Sequence, residues 1–86
     1  MPEISRFFGI VIAVYYNDHN PPHFHARYNG DKVIVEISSL KVLDGKLPSR
    51  ALGLVIEWAS LHQPELLQDW SLAKSNQPPF KIEPLI

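Results

Sequence analysis

The sequence predicts an α+β fold: a small antiparallel β-meander of three to four strands, then two α-helices packed on one sheet face, then an extended C-terminal tail. Two observations support this fold class. β-Branched and aromatic runs separated by turn sequences precede Pro48, whereas apolar residues at helical spacing follow it. The dipeptide Asn29-Gly30 is typical of a two-residue β-hairpin turn. Because the chain has only 86 residues, we expect a single domain over residues 1–86.

The first strand is predicted from Phe8 to Tyr16, where apolar residues fall on both faces. It ends in the loop Asn17–Pro22, because its two prolines remove backbone donors and disfavour regular structure. A second strand, His23–Tyr28, and a third, Asp31–Ile37, flank the Asn29-Gly30 turn.

The hairpin register follows from this turn. With two loop residues, His23 lies opposite Glu36 and Arg27 lies opposite Lys32. The register assigns four apolar side chains to the core face, namely Phe24, Ala26, Val33 and Val35. It assigns to the opposite, solvent-facing or functional side His23, His25, Arg27, Lys32, Ile34 and Glu36.

The sequence pattern in the second half of the chain predicts one more strand and two helices. A short fourth strand is expected at Lys41–Leu43, and helices are expected at Ser49–His62 and from Glu65 to about Lys74. Each helix follows a proline, which suits the first helical turn. The tail, Pro78–Ile86, is too apolar for a free end, so we expect it to dock as an extended segment against the sheet.

Composition excludes several classes of protein. Eight Lys+Arg against nine Asp+Glu give a formal net charge of -1, which is unlike a protein that coats nucleic acid. No cysteine is present, so disulfides and Cys-based metal sites are excluded. The sequence shows no secretory signal and no apolar run of membrane-spanning length, so we expect a cytoplasmic protein without a membrane partner.

Three of the four histidines lie within seven residues. His23 and His25 are two apart on a predicted strand, so both imidazoles project from the same face, a spacing found in metal sites. A metal, if present, would be held by His19, His23 and His25, with Asp18 or Glu36 as alternative ligands; no other cofactor is indicated. The structural alternative is a half-buried histidine pair hydrogen-bonded to Asp18 and Glu36.

A metal-independent ribonuclease is the enzymatic hypothesis for the same face. A histidine and a glutamate can serve as general acid and base for RNA cleavage while cations stabilise the developing charge. The expected catalytic residues are His23, His25, Glu36 and Arg27. The expected substrate-binding residues are Lys32, Tyr16 and His19. The structural alternative is a cross-strand ion pair between His23 and Glu36 on an ordinary solvated face.

The sequence resembles a bacterial family of domains of unknown function, DUF4160. The resemblance covers essentially the whole chain and depends on segments at 1–10, 50–52 and 57–59, on Gly45-Lys46-Leu47-Pro48, on Lys81-Ile82-Glu83-Pro84-Leu85, and above all on Asp18-His19-Asn20-Pro21-Pro22-His23-Phe24-His25-Ala26. Val14 and Asp69 stand where the family pattern has Met and Asn. Genes of this family often neighbour a DUF2442 gene in toxin–antitoxin-like pairs, which implies a partner protein and no particular activity.

The leading functional expectation is therefore a component of a two-gene, toxin–antitoxin-like module with an RNA-cleaving or RNA-binding sheet face. The first alternative is a non-enzymatic protein-interaction module, and the second is a His-based metal-binding protein. The expected partners are a small protein encoded by a neighbouring gene and RNA, with a homo-oligomer as a further alternative.

Overall fold

The computed structural model describes residues 2–86 and confirms the α+β class. Five antiparallel strands form one sheet in the order β1-β2-β3-β4-β5, and two helices follow. The strands are β1 Glu3–Phe7, β2 Ile10–Ala13, β3 His23–Tyr28, β4 Asp31–Glu36 and β5 Val42–Gly45. The helices are α1 Ser49–Leu61 and α2 Gln63–Lys74.

The predicted first strand, Phe8–Tyr16, is wrong in its extent. The chain reverses at Phe8 and Gly9, whose φ angles are 52° and 79°, and this two-residue turn joins β1 to β2. Phe7 pairs with Ile10 across it. The sheet thus has one strand more than expected, because a phenylalanine in the left-handed region is rare and gave no turn signal.

The predicted register between β3 and β4 is confirmed at every position. His23 lies opposite Glu36, Arg27 lies opposite Lys32, and a two-residue turn at Asn29 and Gly30 joins the strands. Both turn residues have positive φ, as this type of hairpin requires. The four residues assigned to the core face are all buried: Phe24, Ala26, Val33 and Val35.

The two helices cover one face of the sheet, as expected. Trp58 of α1 is fully buried and contacts Phe7 and Phe24, with ring centroids 5.5 and 6.1 Å away. α1 has 13 residues and α2 has 12, and neither is long and apolar enough to cross a membrane. Burial of the apolar helix faces against the sheet is the main source of stability in a fold of this size.

The tail docks in an extended conformation against β1, as expected. The Ile82 N–H donates to the Ile4 carbonyl at 2.7 Å, and the Trp58 indole N–H donates to the Glu83 carbonyl at 2.8 Å. Ile82 is buried in the core. The tail therefore lies along one outer strand, while no other strand of the described chain pairs with the outer side of β5.

Candidate functional site

The loop between β2 and β3 carries Asp18 to the start of β3. Two contacts hold this loop against the C-terminal end of α2: the Asn17 N–H donates to the Ala73 carbonyl at 3.3 Å, and the Lys74 ammonium donates to the Asp18 carbonyl at 2.6 Å. The His19 N–H donates to Asp18 Oδ1 at 2.9 Å, which fixes the carboxylate. Asp18 is thereby positioned by α2 as well as by its own loop.

Asp18, His23 and His25 form the centre of the site. Nε2 of His23 lies 2.8 Å from Asp18 Oδ2, and Nε2 of His25 lies 3.1 Å from the same oxygen. One nitrogen or oxygen from each of the three side chains lies within 4.8 Å of the others. We call these three residues the Asp–His cluster. Strand alternation explains the two histidines, because residues two apart on β3 project from the same face.

His23 has an acceptor at each ring nitrogen. Its Nδ1 lies 2.7 Å from the Pro21 carbonyl oxygen, and its Nε2 lies against the Asp18 carboxylate. A carbonyl and an ionised carboxylate can only accept hydrogen bonds. A neutral imidazole could donate to only one of these two oxygens; donation to both needs a hydrogen on each ring nitrogen, and a metal ion on Nε2 needs a hydrogen on Nδ1 alone. Each of the last two arrangements places one positive charge beside Asp18.

Aromatic side chains enclose the two histidines. The His23 ring lies 4.9 Å from the Trp70 ring of α2, and the residue is only 4 % exposed. This burial corrects the expectation that His23 faces solvent, because the β2–β3 loop and Trp70 cover it. The His25 ring lies 4.1 Å from the Tyr15 ring, in an edge-on arrangement. His25 is only half-buried and is the more accessible of the two.

Burial and hydrogen bonding within the cluster shift two pKa values. Burial raises the pKa of Asp18, but hydrogen bonds from His25, from the His19 N–H and from His23 outweigh it and leave the pKa below its ordinary value. Burial lowers the pKa of His25 more than the hydrogen bond to Asp18 raises it. Asp18 is therefore ionised at neutral pH, and His25 is mainly neutral.

Two adjoining openings on the helix-free face of the sheet give access to the cluster. One opening, of ≈ 240 Å³, is lined by Asp18, His19, His23 and residues of β4 and β5. The other, also ≈ 240 Å³, is lined by Tyr15, Arg27, Lys32 and their neighbours. The two openings share three lining residues, namely His25, Ile34 and Asp44. The two openings thus form one continuous depression, and all three residues of the cluster line it.

The predicted acid–base pair is not formed. His23 and Glu36 are opposite each other in the register, but the His23 ring bonds to Asp18 and Pro21, while the Glu36 carboxylate accepts a hydrogen bond from the Ser39 hydroxyl. The Glu36 side chain, at the end of β4, therefore contacts the turn that follows the strand and not the His23 ring. The expected alternative of hydrogen bonding to Asp18 is observed, and that to Glu36 is not.

The structure brings some of the other predicted residues together and leaves others apart. Arg27 and Lys32 line the same opening as His25. The His19 side chain is 91 % exposed and contacts Asp18 Oδ1 at 3.2 Å, so Asp18 takes the place expected of His19 in the cluster. Tyr16 is exposed and lines neither opening, whereas its neighbour Tyr15 packs on His25.

Taken together, the fold and this site define a small α+β domain whose open sheet face carries an Asp–His cluster. The chain belongs to the family described as "Domain of unknown function (DUF4160)", whose family model matches residues 9–71. The matched range includes the whole Asp–His cluster and both basic residues beside it. A search of curated proteins and a search of solved structures each found no match.

Proposed function

We propose that this protein binds a divalent transition-metal ion through Asp18, His23 and His25. The observation that carries the proposal is the arrangement of the two Nε2 atoms against a single carboxylate oxygen, with Nδ1 of His23 occupied by a backbone carbonyl. Histidines that ligate metals donate their other ring N–H to just such a carbonyl or carboxylate, which fixes the tautomer and orients the lone pair.

The distances and donor types fit this use. Ligands on a tetrahedral zinc ion, with bonds of about 2.0–2.1 Å, lie about 3.3 Å from one another. The Nε2–Oδ2 distances of 2.8 and 3.1 Å need only a small outward movement to accept an ion. Two imidazoles and one carboxylate suit zinc or ferrous iron, and three protein ligands leave a position open for a water molecule or a substrate.

Charge supports the same assignment. Asp18 is an ionised carboxylate beside two imidazoles, and a metal ion would balance its charge without protonating a buried imidazole. The depression above His25 gives an ion a route from solvent and room for a further ligand.

Calorimetric titration of the purified, chelator-treated protein with zinc tests the proposal. We expect one ion per chain, with affinity reduced at least about 100-fold in Asp18→Ala and His25→Ala, because each change removes a ligand. Tyr16→Ala, a change at an exposed residue that lines neither opening, is the control and should bind zinc normally. His23→Ala removes a buried side chain, so His23→Gln is added and its folding is checked by circular dichroism. Equal zinc affinity in the native protein, Asp18→Ala and His25→Ala would overturn the proposal.

A second candidate, metal-free cleavage of RNA, is favoured by one observation. His25 is held by Asp18 and lines the same opening as Arg27 and Lys32, so a neutral imidazole lies beside two cations that suit a phosphodiester. RNA cleavage that persists with a chelator and disappears in His25→Ala would support this candidate over the first. The toxin–antitoxin-like module and its partner protein remain predictions from the family resemblance.

A further inference from the structure

We infer that Arg27 and Lys32 form a phosphate-binding subsite beside the Asp–His cluster, so that the ligand of this face carries a phosphate group. The inference deepens the proposed function and rests on it for the role of the metal. It begins with two cations that face each other. Arg27 and Lys32 are directly opposite on β3 and β4, both are exposed, and within residues 2–86 neither forms a salt bridge.

Like charges directly opposite on neighbouring strands destabilise a sheet. Their unfavourable interaction is relieved when an anion binds between them. The guanidinium group of Arg27 can bind two phosphate oxygens at once, and the Lys32 ammonium can add a third charged contact. A planar carboxylate would offer fewer oxygens to the same pair, so phosphate is the better match.

The pair is placed so that one ligand can also reach the cluster. Arg27 follows His25 by two residues on β3, so the two side chains share a face and are separated by about 7 Å along the strand. Both line the same opening, which joins the depression above Asp18 and His23. A ligand with a phosphate at Arg27 and Lys32 can therefore place a second oxygen at the open metal position.

Asp44 is the acidic residue in the opening that Arg27 and Lys32 share with His25, while Asp31 lines a second opening beside the same two cations. Asp44 is on β5, opposite Ile34 of β4, and it lines both openings. Its carboxylate accepts a hydrogen bond from the Gly45 N–H at 2.9 Å. Its charge opposes anion binding. Removing that charge while keeping the side-chain shape should therefore strengthen phosphate binding. The inference can thus be tested by a gain of affinity as well as by a loss.

The test uses zinc-loaded protein, with pyrophosphate and a short oligouridylate as separate probes, and measures each dissociation constant by NMR titration. We expect Arg27→Gln and Lys32→Gln each to weaken binding about 10-fold or more, as for loss of one charge-assisted hydrogen bond. Asp44→Asn should strengthen it several-fold. Arg50→Gln, an exposed arginine on α1, is the matched control and should bind both probes normally.

The outcomes separate this inference from the proposed function. If zinc binds normally and both probes bind equally to Arg27→Gln, Lys32→Gln and Arg50→Gln, the inference is wrong while the metal site stands. If zinc does not bind but pyrophosphate binds in a manner that depends on Arg27 and Lys32, the subsite stands without the metal. Binding of pyrophosphate alone assigns the subsite to small phosphates, and binding of oligouridylate assigns it to a nucleic-acid backbone.

Discussion

Nε2 of His23 lies 2.8 Å from Oδ2 of Asp18, while Nδ1 of the same ring lies 2.7 Å from the carbonyl of Pro21. Neither oxygen can donate a hydrogen when Asp18 is ionised, so a neutral imidazole at this position could donate to only one of the two. The contacts of His23 with Asp18 and Pro21 therefore link the conformation of the β2–β3 loop to the charge of the Asp18 carboxylate.

Asp18→Asn should destabilise the protein and weaken metal binding. The amide keeps the shape of the carboxylate but removes its charge, which leaves buried His23 without its ionic partner. We expect a loss of about 1–3 kcal/mol in the free energy of unfolding, measured by urea denaturation without metal. Asp31→Asn, the same change at an exposed residue of β4, is the control. A stability loss below that of the control would contradict the assigned pairing.

Glu36→Gln should change little. The Glu36 carboxylate contacts the Ser39 hydroxyl and not His23, so its charge contributes nothing to the cluster. We expect the free energy of unfolding to fall by about 0.5 kcal/mol or less and zinc affinity to remain unchanged in calorimetry. If RNA cleavage is detected and Glu36→Gln abolishes it, that result would contradict this prediction and support the acid–base pair of His23 and Glu36.

Asp69→Asn should stabilise the protein at neutral pH. Asp69 is 1 % exposed; its Oδ1 accepts a hydrogen bond from the Phe80 N–H, while its Oδ2 has no hydrogen-bond partner among residues 2–86. Burial raises the pKa of Asp69, as does the charge of Glu65, while the Phe80 hydrogen bond lowers it and does not compensate. A neutral amide keeps the Phe80 contact and avoids burying a charge, which we expect to be worth about 1 kcal/mol.

The pH dependence of that difference has a definite sign. The folded pKa of Asp69 lies above its ordinary value of 3.8, so the stability contributed by its protonated form is complete below that value. It is lost as the pH rises through the folded pKa. Denaturation curves across this range should therefore diverge in favour of Asp69→Asn as the pH rises. Parallel curves for the two proteins would contradict the raised pKa. Glu57→Gln, on the exposed side of α1, is the charge control.

Gly45→Ala and Gly30→Ala should differ sharply although both glycines have positive φ, of 77° and 86°. A Cβ at Gly45 would lie 2.2 Å from the Lys32 carbonyl oxygen, whereas a Cβ at Gly30 would meet no atom within 4 Å. We expect Gly30→Ala to cost about 1 kcal/mol for the backbone conformation alone. Gly45→Ala should cost about 2–4 kcal/mol, because β4 and β5 must separate. Equal urea midpoints of unfolding for the two variants would contradict the close approach of Gly45 to the Lys32 carbonyl.

Ile82→Ala should show that the tail is part of the core. Ile82 is 6 % exposed, whereas Phe80 in the same segment is 63 % exposed. Truncating the buried isoleucine should cost about 2–4 kcal/mol, and Phe80→Ala should cost about 0.5 kcal/mol or less. Proteolysis of the tail monitored by mass spectrometry provides a second readout, because release of the segment exposes it to cleavage. Equal effects of the two substitutions would contradict its docking.

The sequence was most informative where local chemistry determines structure. The Asn29-Gly30 turn, flanked by alternating residues, predicted the full register from His23 to Glu36. The first hairpin was missed because Phe8 occupies a backbone conformation that phenylalanine rarely adopts. The apolar run from Phe8 onward therefore resembled one continuous strand.

The site was predictable in part for the same reason. Strand alternation placed His23 and His25 on one face, and this holds in the structure. The position of Asp18 depends on contacts with Ala73 and Lys74, more than 50 residues away along the chain, and the burial of His23 depends on Trp70. No pattern within the loop encodes these distant contacts, which is why His19 was expected in the place of Asp18.

Because the tail covers β1, the two edges of the sheet are not equally open to a further strand. Because Ile82 already bonds to Ile4, a further strand is easier to accommodate beside β5 than beside β1. β5 also supplies Leu43 and Asp44 to the rim of the depression above the Asp–His cluster. Any chain that lengthened the sheet at β5 would therefore become a wall of that depression, and the association of this protein with another would alter the ligand that it accepts.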